Sequence, residues 1–165
     1  VGDVKVILGQ LISHRPKAQS EAWIADLQAR RQAETLPAPA PGNGSVTPSY
    51  LMRTLGEQLD DDACVCVDVG QNQIWAAKHL PMKHGRFLTT GGLGTMGYSL
   101  PASLGVKTAV PDRQTVVVCG DGSFQMFENE LATLKAMGTD VKIVMVHNGV
   151  LGLVHQIQYS SYSGP

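Results

Sequence analysis

The sequence has 165 residues, of which 43% are hydrophobic and 16% are charged, a balance typical of a compact folded domain and not of a disordered chain. Thirteen Lys and Arg residues nearly balance fourteen Asp and Glu residues without forming a basic cluster, which argues against nucleic-acid and lipid-surface partners. No apolar run approaches the ~18 residues that span a bilayer and no secretory leader opens the sequence, so we expect a cytoplasmic protein.

The first part of the chain, residues 1–36, is predicted to be the tail of a preceding domain. Its opening residues, VGDVKVILGQL, begin with Val and suggest a strand already under way, so we expect a piece of a longer protein. Residues 20–35 have apolar side chains at helical spacing after Ser20, a suitable N-cap, and predict a surface helix. Alternating prolines followed by glycines in residues 37–45 exclude helix and strand, which predicts a linker there.

The second part of the chain, residues 46–165, alternates between helix and strand patterns. Thr47 and Pro48 are typical of a helix start, as N-cap and first-turn proline, and leucines then recur every four residues. This pattern predicts a helix of about three turns at the start of an α/β domain.

Apolar runs in the second part predict the strands of a sheet. Residues 63–68, 115–119 and 141–146 are nearly continuous in apolar character, which indicates strands buried on both faces, as in a parallel sheet. Residues 124–137 predict a helix between the last two strands, with Gly138 as its C-terminal cap. We therefore predict an α/β fold, a doubly wound parallel sheet with helices on both faces.

Polar and glycine residues follow each of the three predicted strands, at residues 68–72, 120–123 and 147–152. Ligands of open α/β sheets bind beyond the carboxyl ends of the strands, so these segments are expected to converge on one site. Gly120 and Gly122 lie where a strand becomes a helix, and such a turn suits a phosphate group.

Asp121 lies within that glycine turn and predicts a metal ion. A carboxylate beside a phosphate is repulsive unless a cation lies between them. Mg²⁺ prefers oxygen ligands and is commonly held by one or two protein groups together with phosphate oxygens. Asp121, the amide oxygen of Asn148 and a loop carbonyl would form such a set.

The sequence GDG, followed by one helix, one strand and Asn, resembles the thiamine diphosphate motif of acetolactate synthase, pyruvate oxidase and benzoylformate decarboxylase. Four segments are similar to the large, catalytic subunit of acetolactate synthase, namely DVGQNQIWAA (68–77), GRFLTTGGLGTMGYSLPASLG (85–105), GDGSFQMFENELATL (120–134) and NGVLGLVHQIQ (148–158). The resemblance implies carboligation or decarboxylation of 2-oxo acids that depends on thiamine diphosphate and Mg²⁺, with two pyruvate molecules giving acetolactate and CO2.

The resemblance also assigns the site residues. It implies that Mg²⁺ is held by the side chains of Asp121 and Asn148 and by the carbonyl of Val150. The aminopyrimidine would meet the Gly94 carbonyl and Met96, whose side chain would prop the cofactor in a bent shape. The remaining cofactor contacts would come from Gln71, Asn72, Gly120, Gly122, Ser123, Leu151 and Gly152.

Several parts of the family's active site are expected to lie outside this sequence. The resemblance places the activating glutamate in an N-terminal domain of a partner subunit, so no catalytic residue is assigned here and the chain alone is expected to be inactive. It further implies a homodimer or homotetramer with the site at the subunit interface, a regulatory subunit, FAD in the intact enzyme, and C-terminal strands after Pro165. Two residues depart from the family pattern. His147 stands where the family commonly has Asn, and it is expected to point away from the metal. Ile157 stands where many acetolactate synthases have Trp.

Other interpretations remain open. Residues 92–97 fit the dinucleotide pattern GxGxxG, but the acidic residue expected about 20 positions later is Val117. Ser99 lies in GYSLP, which departs from the hydrolase elbow GxSxG at Pro101. Another thiamine diphosphate enzyme, such as an oxidase, a decarboxylase or a glyoxylate carboligase, and a non-catalytic cofactor-binding module are the remaining alternatives.

The three cysteines do not form a metal-binding pattern. Cys64 and Cys66 lie on one predicted strand, where we expect them to face opposite sides, and Cys119 lies on another. Buried, inert thiols are the expected state of all three.

Overall fold

The structure is a computed structural model that describes residues 2–14, 20–33 and 46–164. The chain divides into two compact units, Val1–Pro37 and Ala38–Pro165. The predicted linker at residues 37–45 lies outside the described residues, so the linker and the assignment of the first part to a preceding domain stay predictions. Within the described ranges, every helix is too short or too polar to cross a membrane.

The first unit opens with helix α1 (Val4–His14), so the expected strand at the start of the chain is wrong. Asp3 explains the difference because it caps the helix. Its carboxylate accepts a hydrogen bond from the Val6 amide at 3.0 Å, and its carbonyl accepts one from the Ile7 amide at 3.0 Å. An N-cap of this kind favours a helix over the strand that the apolar residues alone suggest.

Helix α2 (Glu21–Ala33) confirms the predicted surface helix of the first unit. It follows Ser20, whose carbonyl accepts a hydrogen bond from the Ile24 amide at 2.8 Å. None of its residues is buried.

The second unit is an α/β domain whose four strands are all parallel, in the order β2-β1-β3-β4. This arrangement confirms the predicted parallel sheet. Thr47 caps the first helix of the unit by accepting from the Tyr50 amide, as the sequence predicts. The elements are α3 (Pro48–Glu57), β1 (Cys64–Val67), α4 (Gln71–His79), β2 (Arg86–Leu88), α5 (Ser99–Ala109), β3 (Thr115–Gly120), α6 (Asp121–Phe124), α7 (Glu130–Met137), β4 (Lys142–Val146) and α8 (Gly152–Tyr162).

Helices cover both faces of the sheet, which confirms the doubly wound fold. Alternate residues of a strand point to opposite faces, so β1 and β3 each contribute to two apolar clusters. One cluster joins the sheet to α3 and α4 through Met52, Val65, Val67, Ala76, Leu80, Val116 and Val118. The other joins it to α5 and the segment after α6 through Cys64, Cys66, Leu100, Val106, Val117, Cys119 and Phe127.

The single helix predicted over residues 124–137 is wrong, because the structure has α6, a series of turns and then α7. The turns are closed by bonds between residues three apart, including the Phe127 amide to the Phe124 carbonyl at 3.1 Å and the Glu130 amide to the Phe127 carbonyl at 2.8 Å. They direct the Phe127 ring into the core, edge-on to Phe124. Gly138 ends α7 with a φ of 61°, which confirms the predicted cap.

The cysteines are buried as predicted, but the expectation that Cys64 and Cys66 face opposite sides is wrong. They are two positions apart on β1, so they share one face and one apolar cluster. Burial, with a smaller effect of neighbouring Cys64, raises the pKa of the Cys66 thiol to about 12. Burial, followed by the charges of Asp68 and Asp121, also raises the pKa of Cys119 to about 12.

These thiols are expected to be unreactive in the folded protein. Thiolate is the nucleophilic form, and a thiol with a pKa of about 12 is almost wholly protonated at pH 8. A disulfide exchange reagent at pH 8 should therefore label Cys66 and Cys119 slowly without denaturant and quickly in guanidinium chloride. Rapid labelling of either residue in the native protein, located by peptide mass, would contradict the packing of this sheet face.

Candidate functional site

A cleft lies at the carboxyl ends of β1, β3 and β4 in the second unit, where α/β sheets bind their ligands. The structure brings together in this cleft all twelve residues to which the sequence assigned the cofactor or the metal. Their roles as ligands remain predictions. The twelve are Gln71, Asn72, Gly94, Met96, Gly120, Asp121, Gly122, Ser123, Asn148, Val150, Leu151 and Gly152.

Asp121 is the first residue of α6 and connects the ends of two strands. The parallel pairing of β3 with β4 places Gly120 opposite Val146, so the loop after β4 begins beside Asp121. The two carboxylate oxygens accept hydrogen bonds from the amides of Asn148, at 3.4 Å, and Gly149, at 3.1 Å. Sheet register thus brings together two segments that are 27 positions apart in sequence.

The surroundings of Asp121 favour its ionised form. Burial is the largest single influence and opposes ionisation, but the hydrogen bonds from the amides of Asn148, of Asp121 itself and of Gly149, together with the charge of His147, outweigh it and lower the pKa of Asp121. The carboxylate is therefore anionic at neutral pH, as a metal ligand must be.

His147 does not point away from the candidate metal ligands, so that expectation is wrong. Its Nδ1 lies 3.1 Å from Oδ2 of Asp121, and its side chain is otherwise 71% exposed. The two amides that bond to Asp121 follow His147 directly in the loop, and this fold of the loop carries the imidazole to the carboxylate.

The oxygen ligands that Asp121 and Asn148 bring to the cleft, a carboxylate and an amide oxygen, are of the kind that a magnesium ion takes. The Asn148 amide oxygen accepts a hydrogen bond from the Val150 amide at 3.2 Å, which turns the loop back toward the cleft. In the described part of the chain, no three His, Cys, Asp or Glu side chains group together to hold a metal. A metal here would thus rely on one carboxylate, neutral oxygens and phosphate oxygens, the ligand set that Mg²⁺ accepts and Zn²⁺ does not favour.

Two glycines keep the cleft open. A Cβ atom on Gly122 would overlap the Leu151 side chain, and a Cβ atom on Gly152 would overlap the Gln71 amide oxygen. Gly152 is also the first residue of α8, whose N-terminus has no side-chain cap and lines the cleft. A cleft lined by glycines and by a helix N-terminus without a side-chain cap is suited to an anionic group such as a diphosphate.

Replacing Gly152 by alanine is expected to weaken cofactor binding about tenfold or more, because the methyl group would displace Gln71 and narrow the cleft. The measurement is a calorimetric titration of thiamine diphosphate with Mg²⁺. Gly105→Ala is the matched control, since a Cβ atom at that helical position meets nothing within 4 Å. Equal affinities for the two variants would show that the floor of the cleft is not part of the binding site.

Three of the polar side chains predicted to contact the cofactor already have protein partners. The Asn72 amide nitrogen donates to the Asp68 carbonyl at 2.8 Å. The Ser123 hydroxyl accepts from the Gly120 amide and donates to the Gly120 carbonyl. The Gln71 amide nitrogen donates to Oε1 of Gln156 in α8 at 3.1 Å, so this last contact links two walls of the cleft.

The glycine-rich loop between β2 and α5 forms the wall opposite the GDG turn. Gly94 and Gly97 have φ values of 66° and 83°, which glycine adopts without strain. The Met96 methyl group lies 3.9 Å from where a Cβ atom would stand on Gly122. Met96 therefore reaches across the cleft to the turn that carries Asp121.

Several cleft residues were missed from the sequence. Trp75 lies one helical turn after Gln71. If α4 had been predicted from the sequence, this spacing would have placed Trp75 on the same face of the helix as Gln71. Gln156, which accepts a hydrogen bond from the cleft residue Gln71, lies one turn into α8, a helix that the sequence patterns did not predict. The other missed residues of the cleft carry no polar signal and are Val146, Leu153 and Val154.

The structure does not favour Ser99 as a nucleophile. Ser99 is fully buried, and its hydroxyl donates a hydrogen bond to the buried Asp68 carboxylate at 2.7 Å. It is the first residue of α5 and serves to anchor that helix.

Residues 68–165 match the family described as thiamine pyrophosphate enzyme, C-terminal TPP binding domain, thiamine pyrophosphate being the same compound as thiamine diphosphate. The chain belongs to this family, which confirms the family, the fold and the cofactor that the sequence resemblance implies.

Several relatives of the chain are named acetolactate synthase. The chain is 40% identical over 164 residues to the acetolactate synthase isozyme 1 large subunit of Escherichia coli. It is 39% identical over 170 residues to the acetolactate synthase of Mycobacterium bovis and 35% identical over 164 residues to the large subunit of Lactococcus lactis. These alignments cover 98% or 99% of this chain and 28% of each relative.

Proposed function

We propose that this chain supplies the diphosphate-binding half of the active site of an acetolactate synthase-like enzyme, which converts two pyruvate molecules into acetolactate and CO2. The observation that carries the proposal is the meeting of Asp121 and Asn148, from two strand ends, opposite the loop that carries Met96. The relatives named acetolactate synthase support this choice of substrate class.

The donors of the cleft fit thiamine diphosphate bound through Mg²⁺. Asp121 and Asn148 would hold the metal through side-chain oxygens and Val150 through its carbonyl. The glycines at 122 and 152 and the open N-terminus of α8 would receive the diphosphate. Gly94 and Met96 would meet the aminopyrimidine. When bound, the cofactor supplies the carbon nucleophile and the electron sink for the reaction.

The chain's own residues orient and shield the cofactor. Asp121 would neutralise part of the metal charge in a place where the backbone amides already stabilise an anion. Apolar residues of the cleft, including Val146, Leu151 and Val154, would exclude water from the reacting centre. Among the described residues that line the cleft, the carboxylate is Asp121, which this proposal assigns to the metal, and the activating glutamate is assigned to a partner subunit.

The wider assembly is part of the same proposal. We infer a homodimer or homotetramer with the site at the subunit interface, a regulatory subunit, FAD in the intact enzyme and a cytoplasmic location. Two relatives are named "large subunit", which supports a second, smaller subunit. Residues 1–36 are assigned in this proposal to the tail of a preceding domain and residues 37–45 to a linker.

The test is an assay of the full-length protein with pyruvate, thiamine diphosphate and Mg²⁺, in which acetolactate is measured after conversion to acetoin by acid. We expect acetolactate to form only when both cofactors are present. Parallel reactions with and without FAD test the flavin requirement. Pyruvate consumption that yields acetaldehyde or acetyl phosphate would instead identify a decarboxylase or an oxidase, and the absence of turnover would favour a non-catalytic binding module.

A further inference from the structure

Asp68 is a buried carboxylate that the proposed function does not use. It follows β1 directly and has no exposed surface. No ion pair of the described residues includes it. A carboxylate in such a place must be stabilised by hydrogen bonds, since burying an unpartnered charge is very costly.

Four donors satisfy the Asp68 carboxylate. Oδ1 accepts from the amides of Val69, at 2.9 Å, and Gly97, at 3.0 Å. Oδ2 accepts from the amide and the hydroxyl of Ser99, at 2.8 and 2.7 Å. A carboxylate has about four lone-pair positions, so its capacity is filled.

Three of these donors belong to the segment that joins the glycine-rich loop to α5. Gly97 follows Met96 directly, and its own left-handed conformation lets its amide reach Asp68. The other end of the loop is closed on itself, through the Gly94 amide to the Thr90 carbonyl at 3.0 Å. The Asp68 carboxylate therefore fixes the position of Met96, at this end of the loop, relative to the sheet.

The main chain of Asp68 is fixed just as firmly. Its amide donates to the Val118 carbonyl of β3 at 2.8 Å, and its carbonyl accepts from the Asn72 side chain of α4 at 2.8 Å. One residue thus connects the central strands, the helix that carries Gln71 and the glycine-rich loop.

We propose that Asp68 is a positioning residue, whose carboxylate holds Gly97 and Ser99 so that Gly94 and Met96 meet the aminopyrimidine half of the cofactor. The inference rests on the proposed function, because it takes thiamine diphosphate as the ligand. It assigns Asp68 to the aminopyrimidine half of that ligand and not to the diphosphate half. Asp68 acts on the aminopyrimidine side, and none of the four hydrogen bonds to its carboxylate comes from Asp121, Asn148 or Gly122, which the proposed function assigns to the metal and the diphosphate.

The experiment compares two ligands on the full-length protein by calorimetry, thiamine diphosphate and inorganic pyrophosphate, each with Mg²⁺. In Asp68→Asn, an amide nitrogen would face backbone N–H donors and could not accept from them. We expect the Kd of thiamine diphosphate to rise about tenfold and that of pyrophosphate to stay within about twofold. A residue that only maintained the fold would change both values together or neither.

Ser99→Ala is the milder variant, because it deletes one donor and keeps the carboxylate with its three backbone partners. We expect the same preference with a smaller change, and this variant decides the question if Asp68→Asn does not fold by circular dichroism. Ser103→Ala is the matched control, since Ser103 is also buried in α5 and its hydroxyl donates only to the Leu100 carbonyl. We expect it to leave both affinities unchanged.

The outcomes separate this inference from the proposed function. If the unmodified protein binds thiamine diphosphate and the Asp68 and Ser99 variants weaken both ligands equally, or neither, the positioning role is overturned and the proposed function stands. If the unmodified protein does not bind thiamine diphosphate with Mg²⁺, the proposed function fails and the positioning role fails with it.

Discussion

Replacing Asp121 by alanine is expected to abolish Mg²⁺-dependent binding of thiamine diphosphate while leaving the fold intact. The change removes the one carboxylate that the cleft offers to a metal, and it frees the amides of Asn148 and Gly149 that now bond to it. Loss of a direct metal ligand should raise the Kd at least about 100-fold. The fold should survive because Asp121 lies in a cleft and contributes nothing to either apolar cluster.

The control for this variant is Asp140→Ala. Asp140 is a carboxylate of the same unit, bonded to Lys142 at the surface and away from the cleft. We expect the Asp140→Ala variant to bind the cofactor with the affinity of the unmodified protein. Both variants should give the same circular dichroism spectrum. Undiminished Mg²⁺-dependent binding in Asp121→Ala would rule out the assigned metal site.

Replacing Met96 by alanine is expected to separate binding from turnover in the full-length enzyme. The Met96 side chain reaches across the cleft toward Gly122, so its loss leaves space beneath the cofactor without removing a metal or diphosphate ligand. We expect the Kd of thiamine diphosphate to change by no more than about threefold. Turnover should fall about 100-fold, because a cofactor that is not held in its bent shape places its reacting groups poorly.

Met137→Ala provides the comparison for Met96→Ala. Met137 ends α7, is 44% exposed and does not line the cleft, so both Kd and turnover should match the unmodified protein. The two quantities come from calorimetry and from the acetolactate assay on the same preparations. Turnover of Met96→Ala at the unmodified rate would remove the bending role from this residue.

The buried strands of the fold were predictable because their residues carry a strong local signal. Apolar runs such as residues 115–119 need no long-range information to be identified as strands of a parallel sheet. The helix over 124–137 was not predictable in its true form, since apolar spacing cannot distinguish a continuous helix from turns that bury Phe127. The start of α1 depended on one hydrogen bond from Val6 to Asp3, which apolar patterning does not contain.

The candidate site was largely predictable because many of its residues lie directly after strands, and α/β sheets bind their ligands at the carboxyl ends of the strands. Asp121 and Asn148 meet through the register of β3 and β4, which sequence order alone suggested. The contact of His147 with Asp121 was missed, because the direction of a loop side chain depends on the path of the backbone. The role of Asp68 was missed for a related reason, since its partners at Gly97 and Ser99 are about 30 positions away and show no spacing pattern.

The most direct test of this account is a calorimetric titration of thiamine diphosphate into the full-length protein, with and without Mg²⁺, with NAD as a parallel ligand. We expect thiamine diphosphate to bind in the presence of Mg²⁺ and much more weakly without it, and we expect NAD not to bind. Binding of NAD alone, or of neither ligand, would contradict this expectation, because the meeting of Asp121 with Asn148 would then be a structural turn and residues 92–97 would need another ligand.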